Sequence, residues 1–136
     1  MNLAGKQLQN ESLVDELGSA LASSGIDPSA LALEITEDLL MEHAEEAQTV
    51  LNRLKSQGIR LYLDDFGTGY SSLAYLRSFP LDALKIDRSF VSSMDTQAGD
   101  SEIVRTIMTL ATNLDLGVVA EGIENRAQLE ALKTLG

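Results

Sequence analysis

The sequence contains no cysteine and a single histidine, His43, in 136 residues. Without cysteine there is no disulfide framework, no thiolate metal site and no cysteine nucleophile. One histidine excludes multi-histidine metal sites, so a bound metal would have oxygen ligands and would be a hard cation such as Mg²⁺, Mn²⁺ or Ca²⁺. Positive charge is scarce as well: 10 Lys and Arg stand against 21 Asp and Glu, a formal net charge of −11. Nucleic acids and anionic membranes need a basic surface, so neither is expected as a nonspecific partner. An anionic ligand would require a metal to reverse the field locally. No apolar run approaches the roughly 20 residues of a membrane span. The opening Met1-Asn2-Leu3-Ala4-Gly5-Lys6 lacks the basic, apolar and small-residue succession of a secretion signal. These absences read together as a soluble, cytoplasmic chain with one domain and a real core.

What is present is an alternation of helical and strand-like segments. Leu13, Leu17, Ala20 and Leu21 have helical spacing within Leu8 to Ser24, and Leu31 to Ile35 reads as a short buried strand. Asp38 to Gln57 predicts a single helix, with Leu40, Ala44, Ala47, Val50, Leu51 and Leu54 on one side. Ile59 to Leu63 is a strand that runs into Asp64-Asp65-Phe66-Gly67-Thr68-Gly69. Ser71 to Ser78 predicts a helix of about two turns, and Ala83 to Asp87 the next strand. Ser92 to Asp100 is the most loop-like stretch. Ile103, Ile107, Leu110 and Leu114 mark a long amphipathic helix, Gly117 to Glu121 a final strand, and Asn125 with Gln128 a capping pair for a last helix. Alternation at this spacing predicts right-handed βαβ units and a parallel sheet, an α/β fold.

A parallel strand covered by helices should be almost wholly apolar. Each of the four carries charge near its C-terminal end: Glu34, Asp64 with Asp65, Lys85, and Glu121. In α/β folds that end is where ligands sit. Strand parity sets Leu84 and Ile86 opposite Lys85, and Val118 and Ala120 opposite Glu121. One side is greasy enough to pack helices, and the other collects Glu34, Asp64, Lys85 and Glu121. Taken singly, Glu34 or Glu121 reads as a helix cap or salt-bridge partner, and Asp64-Asp65 before Phe-Gly-Thr-Gly divides evenly between turn chemistry and a site. Four such positions in four successive strands favour a site. Oxygen-rich convergence suits one or two divalent ions of the kind that clamp both oxygens in phosphodiester hydrolysis. Lys85 would neutralise charge, hold a phosphate, or deprotonate a water if its pKa is lowered. Gly67 and Gly69 would let a loop approach or cover a ligand.

With these residues in place, the sequence resembles the EAL family of cyclic di-GMP-specific phosphodiesterases. The matching stretches are Asn2 to Leu8, Leu33-Glu34-Ile35-Thr36-Glu37, Asp64 to Leu73, Lys85-Ile86-Asp87-Arg88-Ser89-Phe90, and Ala120-Glu121-Gly122-Ile123-Glu124 with Gln128. The resemblance implies a metal site at Asn2, Glu34, Asp64 and Glu121, with Asp65 serving a second metal. It implies that Lys85 orients or activates the attacking water, and that Glu37 braces the loop after Asp65. Phe66, Gly67, Thr68, Gly69, Asp87 and Glu124 would be loop and substrate-binding residues. The implied reaction hydrolyses cyclic di-GMP to linear pGpG with Mg²⁺ or Mn²⁺.

The family fold is a modified (β/α)8 barrel, which needs about 250 residues. This chain resembles the part from the end of the third strand to the seventh helix, about four strands and five helices of the barrel. The Glu-Ala-Leu signature that supplies a metal ligand has no counterpart, and neither does the last strand. The expectation is a partial EAL domain over residues 1–136, an open parallel sheet that pairs with a second copy as a homodimer or higher assembly. Three functions follow: a metal-dependent phosphodiesterase, a cyclic di-GMP-binding or protein-docking module without turnover, and a non-functional fragment.

Overall fold

Four runs rich in leucine, isoleucine and valine form the strands: β1 Ala32–Thr36, β2 Arg60–Phe66, β3 Ala83–Ile86 and β4 Gly117–Ala120. The computed structural model describes residues 1–8, 10, 12–42, 44–67, 76–94 and 98–136. The strands make one parallel sheet in the order β1-β2-β3-β4. Residues 1 to 3 extend it beyond β1. The Glu34 amide donates to the Met1 carbonyl and the Leu3 amide to the Glu34 carbonyl, both at 2.8 Å, bridging Asn2 to Glu34 in parallel fashion.

Around the sheet lie α1 Gly5–Leu8, α2 Ser12–Ser24, α3 Glu37–Glu42, α4 Ala44–Ser56, α5 Arg88–Ser93, α6 Ala98–Asn113 and α7 Arg126–Leu135. The helix expected from Asp38 to Gln57 is helical on either side of residue 43, as α3 and α4, and residue 43 itself lies outside the described residues. Most of the helix expected at Ser71 to Ser78 lies outside the described residues. The stretch Ser92 to Asp100 departs from its loop-like reading at both ends, where α5 runs to Ser93 and α6 starts at Ala98. Its small polar residues are compatible with helix because local bonds satisfy them: the hydroxyls of Ser92 and Ser93 donate to the Ser89 carbonyl within α5. The Asn125 cap is a full capping box, the Gln128 amide donating to Asn125 Oδ1 while the Asn125 amide donates to Gln128 Oε1.

Packing follows strand parity. Leu33, Ile35, Leu61, Leu63, Leu84 and Ile86 are wholly buried, in one cluster with Leu40, Leu51 and Leu54 from α3 and α4 and Val104, Ile107 and Ala111 from α6. The opposite face carries Glu34, Tyr62, Asp64, Lys85 and Val119, and stays partly open: Val119 is 39% exposed. Among the described residues no helix is long and apolar enough to cross a membrane.

Asp82 ties the N-terminal ends of three strands. Its amide donates to the Leu61 carbonyl (2.8 Å), its carbonyl accepts from the Gly117 amide (2.9 Å), and its carboxylate accepts from the Leu61 amide (2.8 Å) and pairs with Lys55. Replacing Asp82 with Ala would strand a part-buried backbone N–H, at a cost of about 1–3 kcal/mol. Urea denaturation of Asp82→Ala should show a lowered midpoint with an unchanged slope.

Candidate functional site

The C-terminal ends of the strands bring four charged side chains to one point. Lys85 Nζ lies 2.6 Å from Glu121 Oε1, 2.9 Å from Asp64 Oδ1 and 3.1 Å from Glu34 Oε1. The lysine side chain is 8% exposed and that of Asp64 12%. An ammonium has three N–H donors and no acceptor, so three carboxylates use its full capacity. Each group is delivered by a different segment: Glu34 by β1, Asp64 by β2, Lys85 by β3 and Glu121 by the residue after β4. Asn2 is bridged to Glu34 and so stands on the same face of the sheet.

Burial acts to lower the Lys85 pKa, but its hydrogen bonds to Glu121, Asp64 and Glu34 outweigh burial and hold it well above the ordinary lysine range. Of the roles open to Lys85, deprotonating water required a lowered pKa, and these hydrogen bonds shift it upward instead. In this setting the Lys85 ammonium balances part of the charge of the three carboxylates.

Asp64 and Asp65 lie in a bulge. Leu63 pairs with Leu84 and Phe66 with Ile86, so the step from 63 to 66 on β2 matches the step from 84 to 86 on β3, with one residue extra on β2. Asp65 takes up the excess with φ 55°, a left-handed conformation that Asp tolerates better than most residues. Its amide donates to Asp64 Oδ1 at 3.1 Å. Its pKa is raised, first by desolvation and then by the charges of Asp64, Asp87 and Glu121, with Lys85 opposing. Nothing in the sequence announced this bulge.

The remaining residues divide. Glu37, at the start of α3, is 2% exposed, and its Oε2 accepts from the Gly67 amide at 3.0 Å, fastening the end of β2 to α3. Gly67 has φ 97°, and a Cβ there would stand 3.2 Å from the Phe90 ring and 3.3 Å from Ile107, so the turn requires glycine. Phe66 was expected in the loop but closes β2 with its side chain in the core, 5% exposed, because the bulge resets strand parity. Asp87 caps α5: its Oδ1 accepts from the Ser89 amide at 2.9 Å and from the Ser89 hydroxyl, bonds that hold its pKa below the usual carboxylate range. Glu124 is exposed and pairs with Arg88 at 3.6 Å. Thr68 and Gly69 lie outside the described residues. Gly122, quoted in the matching stretch but given no role there, has φ 68°, and a Cβ on it would stand 2.5 Å from Arg88 Cγ. A glycine directly after a strand-end glutamate was the available signal. The triplet Glu130-Ala131-Leu132 does occur, but on α7, where Glu130 is exposed and pairs with Lys133 at 3.4 Å. It is no strand-end carboxylate.

The donor set is all oxygen, the chemistry a hard divalent cation prefers. Its spacing is that of carboxylates around an ammonium, and among the described residues no three Asp, Glu or His side chains stand at metal-binding spacing. Chemistry fits the cation, while the geometry shown fits Lys85. A groove of about 640 Å³ between Gly18, Leu21, Ile26, Pro28 and Gln57 lies at the opposite end of the strands and brings no comparable charges together.

A parallel α/β sheet with carboxylates and a lysine gathered at the C-terminal strand ends defines a domain of the TIM-barrel type with a polar strand-end site. The EAL domain family model matches residues 1–136, and the chain belongs to that family. It is 47% identical over 133 residues to the cyclic di-GMP phosphodiesterase NbdA of Pseudomonas aeruginosa, covering 98% of this chain and 17% of NbdA. It is 42% identical to the bifunctional diguanylate cyclase/cyclic di-GMP phosphodiesterase MucR of the same species, covering all of this chain and 20% of MucR. Among solved structures, the PaMucR phosphodiesterase in its c-di-GMP complex superposes with a TM-score of 0.94 at 42% identity, over 99% of this chain and 55% of that one. The chain thus spans about a fifth of these curated relatives and just over half of that solved chain. The calcium and cyclic di-GMP complex of Klebsiella pneumoniae BlrP1 has a TM-score of 0.90 at 30% identity, over 99% of this chain and 34% of that one.

Replacing Glu37 with Ala would leave the Gly67 amide without its charged acceptor. The expected result is a loss of about 1–3 kcal/mol and faster hydrogen exchange at Gly67, with β1 amides unaffected.

Proposed function

We propose that this chain carries the central part of a divalent-metal-dependent site for hydrolysing cyclic di-GMP to linear pGpG. The observation that supports it most is the convergence of Glu34, Asp64 and Glu121 on Lys85 at the strand ends of an EAL-family domain. In this reading Glu34, Asp64, Glu121 and Asn2 hold one Mg²⁺ or Mn²⁺, and Asp65 serves a second. Bound there, the cations supply Lewis acidity and lower the pKa of water. Lys85 contributes positive charge and N–H donors toward the scissile phosphate or the attacking water. Glu37 keeps the Gly67 turn in place at the end of β2.

One observation supports a second reading, binding without turnover. The only Glu-Ala-Leu triplet is on a helix surface, so the strand-end glutamate implied by the family resemblance is not supplied by this chain. Assays of cyclic di-GMP with Mn²⁺ compare the chain with Lys85→Ala. Slow, Mn²⁺-dependent formation of pGpG that Lys85→Ala reduces at least a hundredfold supports hydrolysis. Calorimetric binding in Ca²⁺ without turnover favours the second reading. The absence of binding and turnover counts against both.

A homodimer belongs to the same proposal. Among the described residues β4 pairs with β3 alone, and the nearby Val119 and Ile123 are each 39% exposed. An unpaired, uncharged strand edge beside apolar surface invites a second copy. Light scattering at micromolar concentration should give twice the 14.7 kDa chain mass, whereas a stable monomer would contradict the pairing.

A further inference from the structure

The three carboxylates proposed to hold a divalent ion are the same three that saturate the Lys85 ammonium, at 2.6, 2.9 and 3.1 Å. A divalent ion binds carboxylate oxygen at about 2.0–2.1 Å for Mg²⁺ or about 2.3–2.6 Å for Ca²⁺. An ammonium and such an ion cannot share one cage of three oxygens, because the two charges would repel at contact distance with little water to screen them. Three acids against one ammonium leave the cluster net negative, so a second positive charge is attracted to it. Lysine can yield the place, since its charge sits on a flexible four-carbon stem with three rotatable donors.

We infer that Lys85 is a built-in counter-ion that stands in the cation's place among Glu34, Asp64 and Glu121, and that loading a divalent ion drives its ammonium out to the rim of the site. The inference rests on the reading of these carboxylates as metal ligands. It has two consequences. The ammonium ties together β1, β2 and the residue after β4 without any metal, so the strand ends stay assembled before loading. It also competes with the metal, holding affinity below what three carboxylates would otherwise give. Displacement then delivers the ammonium to the mouth of the site, where an anionic ligand approaches.

The test uses the whole chain, its Lys85→Met variant, and Mg²⁺ alone as the probe. In EDTA, Lys85→Met should lower the melting temperature by about 5–10 °C, since three carboxylates lose their counter-ion. Titration calorimetry should then show Mg²⁺ binding at least tenfold tighter in Lys85→Met than in the wild-type chain, with a larger Mg²⁺-induced rise in melting temperature. A variant unfolded in EDTA that folds on adding Mg²⁺ meets the same expectation. Equal, measurable Mg²⁺ affinities, or an unchanged melting temperature in EDTA, would overturn the counter-ion role alone. No Mg²⁺ binding by either protein would overturn it together with the metal reading. If the variant folds under neither condition, the wild-type chain decides. The ¹⁵N signal of the Lys85 ammonium, followed by NMR, should shift as Mg²⁺ binds, and a signal unmoved at saturation refutes displacement.

Discussion

The ion cluster at Lys85 constrains everything else at the C-terminal face of the sheet. Three carboxylates delivered by separate segments repel one another, and the partly dry setting between strands amplifies that repulsion. One ammonium satisfies a hydrogen bond to each, so the strand ends are held at a common point by a single side chain. The arrangement is not neutral. Beside it the pKa of Asp65 is raised, first by burial and then by the charges of Asp64, Asp87 and Glu121. A cluster that remains anionic after satisfying its own lysine is prepared for further positive charge.

That cluster depends in turn on the far end of the sheet and on the bulge. Asp82 fixes the relative height of β2, β3 and β4 where they begin. From that origin Lys85 arrives level with Asp64 only because β2 has not yet inserted its extra residue. Beyond the bulge the parity of β2 is reset, so Phe66 points into the core and Gly67 turns toward α3, where Glu37 holds it. The same inserted residue thus separates a polar face from an apolar plug within three positions.

Much of this was legible in the sequence. The four strands, their parallel order and the shared face of Glu34, Asp64, Lys85 and Glu121 follow from alternation and from charges misplaced in apolar runs. Three kinds of feature were not. The bulge at Asp64-Asp65 is a relation between two strands, invisible in either alone, and with it went the placing of Phe66. The direction of the Lys85 pKa depends on three hydrogen bonds whose lengths no spacing reveals; burial alone would have sent it the other way. The segment Ser92 to Asp100 reads as loop because serine and aspartate favour turns, yet serine hydroxyls bonded one turn back leave helix available.

The left-handed backbone at Asp65 bears on how the site can be dissected. Most side chains resist φ 55°, so an alanine scan through this position would mix loss of a carboxylate with relief or transfer of backbone strain. Asparagine tolerates that conformation and keeps nearly the same shape. Glycine tolerates it and removes the side chain altogether. Comparing the two would separate what the carboxylate contributes as a charge from what the residue contributes as a hinge in the strand, a distinction the usual truncation to alanine would erase.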